Sequence, residues 1–596
     1  MDLEQLIKSE LKAAISDLFG HELADSEATL LPTRKEFEGD YTFVTFPLLK
    51  ISKKNPEETG RLIGERLLGN SRILGSFNVV KGFLNLTIRE GIWLQIFAEA
   101  YSNKNYGQLP PKHIKVIIEY SSPNTNKPLH LGHMRNIFLG YAVAQIQKAA
   151  GYDIEKVNLI NDRGIHICKS MLAYSKFGNG ESPESSGIKG DHLIGKYYVL
   201  FDKEYKKQVQ ELVEKGLPKE TADKEAPMLK EAQAMLIAWE EGNEEVVALW
   251  RKMNQWVYDG FEVTYRRMGV DFDKMYYESD TYLLGKAIVD EGLQKGIFYS
   301  RADGSVWADL REDGLDEKLL LRSDGTSVYI TQDLGTADLK YTDYAYDKSV
   351  YVVGNEQDYH FEVLFKLLKK LNRPYAGGLF HLSYGMVDLP SGRMKSREGT
   401  VVDADDMMDE MAATARQYTS DLGKIDDFDG KQAEVLYETL AMGALKYFLL
   451  KVDPKKRMMF NPEESIQFHG NTGPFIQYTY ARISAVKRKA DELGIKYDDF
   501  NIASINGYHP SMKPVFFLLN NYHNLIEESA EQYSPSVIAQ FVYDLAKEYN
   551  RFYTEETILK ETDENYLKLK VAYSVFIAKV IKQSMGLLGI NVPERM

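Results

Sequence analysis

The sequence predicts a multidomain chain with α/β and all-α parts. A small N-terminal α/β unit spans 1–110, a Rossmann-like parallel-sheet domain spans 111–425 with a helical insertion at about 177–269, and a helical bundle spans 426–596. Three observations carry this. The 596 residues, at roughly 150 per domain, are enough for about four units, each with its own core. A central stretch reads strand, loop, helix, strand. From about Glu434 to Met596 apolar residues recur at helical spacing, as in Val571, Val575, Phe576, Val580 and Ile581.

Leu3, Leu6, Ile7, Leu11, Ile15, Leu18 and Phe19 recur at three and four, which predicts an amphipathic helix with one buried face. Phe77 to Val80 and Phe83 to Thr87 read as strands split by the turn pair Lys81-Gly82, hence a hairpin. Lys104 to Lys112, with Gly107, Pro110 and Pro111, reads as a linker and sets the boundary near residue 110. Lys115 to Tyr120 is a buried strand around Val116-Ile117-Ile118. Helical spacing follows through Ile137, Leu139, Val143, Ile146 and Ala150, then a second strand at Lys156 to Ile160. This is a βαβ unit, and parallel sheets bind ligands at the carboxyl ends of their strands, so the loop Ser121 to His133 is the candidate site. Phe177 to Gly190 reads as a surface loop. Leu193 to about Gly269 is charged and helical, with Trp239, Trp250 and Trp256 as packing anchors. Strands are expected again at Ser327 to Thr331, Ser349 to Val353 and Leu379 to Tyr384.

Composition narrows the class. Hydrophobic residues at 44% and aromatics at 12% exclude a disordered chain. A net charge of -14 excludes a protein that coats nucleic acid through uniform positive charge, although a local basic patch remains open. The single cysteine, Cys168, rules out an intramolecular disulfide framework and a cysteine-ligated zinc site. Met1-Asp2-Leu3-Glu4 lacks the basic start of a signal peptide, and no apolar run approaches the roughly 18 residues of a membrane span, so the cytosol is expected, with no membrane partner.

The loop Ser122-Pro123-Asn124-Thr125-Asn126-Lys127-Pro128-Leu129-His130-Leu131-Gly132-His133 sits where a strand hands over to a helix. A helix N-terminus offers free N–H groups to an anion such as a triphosphate, and Gly132 lets a group approach the backbone closely. His130 and His133, three apart, share the first helical turn and could donate to phosphate oxygens. Structural capping and half a zinc site are the alternatives; no HExxH pattern supports zinc. The loop resembles the HIGH signature of class I aminoacyl-tRNA synthetases, and its longer form resembles the arginyl-tRNA synthetases.

Three further stretches keep company with it. In Tyr329-Ile330-Thr331-Gln332-Asp333-Leu334-Gly335, Tyr329 and Asp333 meet if the segment turns helical, and carboxylate beside phenol suits a guanidinium; Asp333 as a mere helix cap is the alternative. The segment resembles the arginine pocket of that family, and the same likeness implies that Glu119, Asn124 and Gln357 contact the amino acid, with His360 nearby. Gly392-Arg393-Met394-Lys395-Ser396-Arg397-Glu398-Gly399 is a glycine-bounded basic loop that could neutralise departing pyrophosphate, or be only an exposed turn. It resembles a degenerate KMSKS loop; Lys395 and Arg397 lie off the consensus positions, and Lys127 looks like the substitute cation.

Between residues 441 and 490, 9 basic residues (Lys446, Lys451, Lys455, Lys456, Arg457, Arg482, Lys487, Arg488, Lys489) stand against 3 acidic ones, a local excess of 6 with aromatics interleaved. That combination suits unpaired bases, although charge runs are usually solvated faces. Asn471 to Arg482 within it resembles the anticodon-binding helix of the family, which implies tRNA contacts for Phe475, Tyr478 and Arg482. The N-terminal unit, with Gly39-Asp40-Tyr41, resembles the domain set against the tRNA elbow. The resemblance covers nearly the whole chain, thinning between about Leu200 and Asp259. It implies arginine-tRNA ligation: His130, His133 and Lys127 catalytic, His130, Gly132, His133, Lys395 and Arg397 on ATP, ATP with Mg2+ as substrate, no zinc, a monomer, and activation that requires bound tRNA. Another synthetase of the class and a non-catalytic tRNA-binding paralogue are the rivals. The histidines and Asp333 argue against the paralogue, and Asp333 would repel an acidic substrate.

Overall fold

Leu3, Ile7, Leu11, Ala14 and Ile15 line one buried stripe of α1 (Leu3–Phe19), the face that the sequence spacing predicts. The computed structural model describes residues 3–34, 36–389, 402–421, 428–498, 505 and 507–596. Helix α1 packs with α2 (Pro56–Asn70), whose first turn is fixed by Pro56 and by Asn55 Oδ1 accepting from Glu58 N at 2.8 Å. Four antiparallel strands complete this unit: β1 (Leu30–Pro32), β2 (Tyr41–Val44), β3 (Leu74–Val80) and β4 (Phe83–Ile88), in the order β1-β2-β4-β3. Lys81 and Gly82 take φ of 50° and 85°, both left-handed, as the tight turn of the expected hairpin requires. Helix α3 (Glu90–Ser102) then leaves this unit and lies against the C-terminal bundle.

The central sheet is parallel throughout, in the order β12 (Leu379–Tyr384), β11 (Lys348–Gly354), β5 (Lys115–Glu119), β6 (Asp153–Ile160), β7 (Lys274–Tyr277). Its first crossover is β5 (Lys115–Glu119), α4 (Leu131–Ala149), β6 (Asp153–Ile160). After α5 (Ile165–Phe177) the chain enters the insertion, whose long helices are α6 (Gly190–Glu214), α7 (Pro227–Glu240) and α8 (Glu244–Met268). It returns at the edge strand β7 (Lys274–Tyr277), then α9 (Gly285–Gln294) and a small antiparallel sheet of β8 (Phe298–Ser300), β9 (Val306–Ala308) and β10 (Lys318–Leu321). Helix α10 (Tyr329–Tyr344), β11 (Lys348–Gly354), α11 (Asp358–Lys370) and β12 (Leu379–Tyr384) finish the domain. The tryptophans do anchor the insertion: Trp250 Nε1 donates to Asp162 O at 2.7 Å, and Trp239 meets Trp250 edge-on at 5.4 Å.

Period-two alternation divides the sheet between two cores. Val116, Ile118, Val350 and Val352 pack with α4 on one face, and Ile117, Val157 and Tyr351 with α10 and α11 on the other. The chain leaves β5 toward β6 in one direction and β11 toward β12 in the other, so the strand order reverses between β5 and β11. A crevice opens there at the carboxyl ends.

One expected strand is absent. Ser327 to Thr331 does not extend the sheet; Val328 caps α10, and Ile330, Leu334 and Ala337 form its buried face. The run of β-formers gives way to a helical face three residues later, and the sheet's further strand is β7 instead. Helix α12 (Ala404–Asp421) packs on the C-terminal bundle, which holds α13 (Gly430–Leu450), α14 (Gly473–Glu492), α15 (Lys513–Glu531), α16 (Ser536–Glu555) and α17 (Glu564–Leu587). Two short strands, β13 (Val387–Asp388) and β14 (Met458–Met459), pair in parallel and join it to the sheet domain. Among the described residues no helix is long and apolar enough to cross a membrane.

Candidate active site at the sheet switch point

The chain leaves β5 through two left-handed residues, Ser121 (φ 74°) and Ser122 (φ 45°), a conformation that non-glycine residues hold only when their surroundings over-determine it. Here they do. Asn136 Oδ1 accepts from Ser121 N at 2.5 Å, Asn158 Oδ1 accepts from Ser122 N at 2.9 Å, and the Ser121 hydroxyl meets Tyr265 OH at 2.7 Å. The other end of the Asn136 amide donates to Val352 O at 2.6 Å, so one side chain of α4 spans the β5 loop and β11. Pro123 O accepts from Asn161 N and Asn161 O from Thr125 N, which extends the sheet along β6 and leaves Asn124 exposed at its rim.

His130 and His133 cap α4, and they do so with one nitrogen each. His130 Nδ1 accepts from Gly132 N at 3.1 Å, and His133 Nδ1 accepts from His130 N at 3.2 Å; the rings lie 3.8 Å apart. Burial, with the Lys127 charge adding, pushes the His130 imidazole down to about 4. His133, more deeply buried and beside His130 and Lys127, is held well below its ordinary value. Neutral imidazoles whose Nδ1 atoms accept carry their hydrogen on Nε2, so capping and donation to a ligand coexist in the same rings. Gly132 suits this fold-back: a Cβ there would lie 3.0 Å from His130 Cε1 and would press on the ring.

The carboxylates come from the other flank. Glu119, at the end of β5, is buried, and its Oε2 accepts from Lys340 Nζ of α10 at 2.8 Å; that ammonium lies 4.1 Å from the Tyr351 ring centre. Asp333 stands in the second turn of α10 and not at its cap, with His360 Nε2 of α11 at 2.6 Å from its Oδ2. Tyr329 is 75% exposed, and Gln357 is exposed at the start of α11. The structure thus gathers His130, His133 and Lys127 on the α4 side of the switch point, and Glu119 with the α10 and α11 residues on the other. A neighbouring cavity of about 480 Å³ is lined by Tyr329, Gln332, Arg163, Glu240, Glu278 and Tyr282. Burial pushes the Glu278 carboxyl up to about 7, and Arg163 stacks 3.8 Å over Tyr282 while pairing with Glu240 at 2.6 Å. Sequence reading missed Lys340, Glu278 and Arg163, which no local spacing links to the motifs. Lys395 and Arg397, with the rest of Gly392 to Gly399, lie outside the described residues.

On α14, Arg482 is sandwiched between Tyr478 and Tyr553, each 4.9 Å away, and donates to Asn550; Tyr478 stacks on Phe468 at 5.9 Å. Phe475 packs partly into the core beside Tyr543. Tyr553, which the sequence did not single out, is 38% exposed beside Arg482. The basic patch is smaller than its count along the chain. Lys446 is buried, donates to Gly589 O at 2.5 Å and is pushed by burial down to about 8. Lys451 donates to Asn471 O, while Arg457, Lys487 and Lys489 pair with Asp388, Asp491 and Glu492.

Comparison with known proteins agrees with this layout. Residues 5–88 match the arginyl tRNA synthetase N-terminal domain, residues 96–461 the catalytic domain of class I tRNA synthetases (R), and residues 476–596 the DALR anticodon-binding domain. The chain is 57% identical over 596 residues to an arginine–tRNA ligase of Amoebophilus asiaticus and 54% identical over 598 to one of Bacteroides fragilis, covering 100% of both partners in each pair. Its fold matches that of Thermus thermophilus arginyl-tRNA synthetase at a TM-score of 0.79, with 23% identity and 100% of each chain covered. With that similarity running the full length and the histidine loop lying at the switch point of a parallel sheet, the chain belongs to the arginine–tRNA ligase family of class I synthetases.

Proposed function

We propose that the chain activates arginine with ATP and transfers it to the terminal ribose of its tRNA at the β5/β11 crevice. The observation that supports this most is the pair of neutral imidazoles presenting Nε2–H groups at the start of α4. In the first step the arginine carboxylate attacks the α-phosphorus of ATP, and pyrophosphate leaves with the electrons of the broken P–O bond. His130 and His133 donate to phosphate oxygens as negative charge gathers there, and Lys127 adds a positive field; Gly132 N–H belongs to the same turn. In the second, a ribose hydroxyl of the tRNA attacks the adenylate carbonyl and AMP leaves. No covalent enzyme intermediate is needed, so the protein's task is orientation and electrostatics.

Asp333, with Tyr329, takes the guanidinium. Glu119, one oxygen of which Lys340 already holds, contacts the amino acid together with Asn124 and Gln357. Mg2+ enters on the triphosphate. Among the described residues the trio of His and carboxylates with metal-ligand spacing, Asp191, His192 and Asp405, already carries the Lys189 ammonium. Cys168 is buried with its thiol pushed up to about 12, the wrong direction for a zinc thiolate. Lys395 and Arg397 are assigned to pyrophosphate from resemblance alone. In this reading 1–110 meets the tRNA elbow, 111–425 performs the chemistry, and 426–596 reads the anticodon through Phe475, Tyr478 and Arg482. The enzyme is a cytosolic monomer that needs bound tRNA to form the adenylate. The test is ATP–pyrophosphate exchange: it is expected only with arginine and tRNA together. Exchange with another amino acid, or none under any condition, overturns the reading.

A further inference from the structure

His130 stands in extended backbone (φ -137°, ψ 174°) because it pairs, as an isolated antiparallel bridge, with Asp403. Leu131 N donates to Val402 O at 3.0 Å and Ala404 N to Leu129 O at 2.9 Å, so the peptide carrying the imidazole is held on both sides by the segment Val402 to Ala404. That segment is in turn fixed to the helical insertion through one carboxylate. Asp405, at the start of α12, receives the Lys189 ammonium, His192 Nε2–H at 3.1 Å and the Thr264 hydroxyl at 3.2 Å. Lys189 and His192 belong to the start of α6 and Thr264 to α8. Asp403 shares the arrangement: its Oδ1 accepts from Asp405 N at 2.8 Å and its Oδ2 lies 3.4 Å from His192.

The cluster is tightly built. Lys189 Nζ also lies 2.5 Å from the Thr264 hydroxyl and pairs with the fully buried Asp191 at 3.2 Å. Asp191 has room because Gly260 of α8 faces it; a Cβ there would come within 2.4 Å of Asp191 Oδ1. Burial alone would raise the Asp405 carboxyl, yet the His192 hydrogen bond and the Lys189 charge hold it at about 2, so it stays an acceptor for all three donors.

From this chain of contacts we propose that Asp405 is a positioning residue, through which the insertion, by Lys189, His192 and Thr264, fixes the backbone pairing that aims the His130 imidazole. The proposal rests on the reading that His130 acts on the nucleotide. It gives the insertion a task in the first step of the reaction, apart from any contact it makes with tRNA.

A double-mutant cycle on the full-length protein tests it, since residues acting through one another are non-additive. D405N is expected to lower kcat of pyrophosphate exchange by about tenfold or more, with KM for arginine changed less than about twofold, because the arginine pocket lies on the other flank. In an H130A background the same change should cost less than about twofold, since the group being aimed is gone. Equal losses in both backgrounds, or a parallel rise in KM for arginine, mean general structural damage and overturn the proposal; so does an unchanged kcat in D405N. If H130A itself keeps full kcat, the catalytic reading of His130 fails, and that failure is separate from the result for D405N. Should D405N not fold, H192A, whose ring is 31% exposed, serves in the same cycle with an expected loss of about threefold confined to the His130 background.

Discussion

Asp333 is one third exposed, and its Oδ2 is occupied by His360, so it meets a guanidinium as a partly solvated carboxylate with one oxygen already engaged. A hydrogen bond between charged groups in such a setting contributes about 1.5–3 kcal/mol, less than the loss expected for breaking a fully buried pair. D333A is therefore expected to raise KM for arginine by roughly 10–100-fold while KM for ATP stays near its original value; steady-state exchange at varied arginine checks it, and unchanged arginine affinity contradicts the assignment. The histidine pair makes a second expectation. His130 protonates at about 4 in the folded chain against an ordinary 6.5, and His133 is shifted the same way, so the unfolded state takes up protons first as the pH falls. The stability the two neutral rings permit is intact above 6.5 and is lost progressively toward 4. Urea unfolding midpoints of the wild type should fall more steeply across that window than those of H130N/H133N. Equal slopes would mean the rings are not held neutral. The Glu119–Lys340 pairing, across 221 residues, was not legible in the sequence, and the nearness of His360 to Asp333, 27 residues away, came from the resemblance and from no period.

At the scale of elements, the crossover β5-α4-β6 sets the site, and its tightest point is where α4 crosses the end of β5. A Cβ on Gly140 would lie 2.4 Å from both Cβ and Cγ of Tyr120, the residue just before the left-handed pair Ser121-Ser122. Alanine is a better helix former than glycine by about 1 kcal/mol, but overpacking of this kind costs about 1–3 kcal/mol, so the clash wins or at best cancels. G140A is expected to lower the unfolding midpoint and to lower kcat, because Tyr120 can yield only by moving the loop that presents Asn124 and Lys127; a stabilised variant with unaltered kcat would contradict this. The amphipathic helix α1 and the β3–β4 hairpin were legible in the sequence from their periods, and β5 and β11 as short continuous apolar runs, because these strands are buried on both faces of the sheet. The strands β8, β9 and β10, three or four residues each, are too short to show a period. At Ser327 to Thr331 β-branched and aromatic residues imitated a strand, because this window holds only the first residues of the α10 face, Ile330 and Thr331, and its period shows only with Leu334 and Ala337. The charge count near α14 failed for a related reason, since counting along the chain cannot tell the buried Lys446 from a solvated lysine.

For the molecule as a whole, the parts that the sequence separates by composition are joined by aromatic packing and by a few ion pairs. Phe97 of α3 lies 5.4 Å from Phe516, 5.9 Å from Tyr573 and 5.7 Å from Phe576, so a residue near the N-terminal unit completes the core between α15 and α17. Tyr106 OH donates to Leu519 O at 2.5 Å, Lys112 pairs with Glu527 at 2.8 Å, and Lys513 pairs with the largely buried Asp40 at 2.6 Å. The ion pairs at this junction are partly solvated and contribute little each; the buried rings carry the attachment. Truncating a buried phenylalanine costs about 3–5 kcal/mol, so F97A is expected to destabilise α15 and α17 although it lies more than 400 residues before them in the chain. Hydrogen exchange should show lost protection across Lys513–Glu531 and Glu564–Leu587 together with α3, while β5 and β11 keep theirs. Protection lost in α3 alone would mean that the bundle core closes without it, and that the N-terminal unit is only tethered to a C-terminal domain that stands by itself.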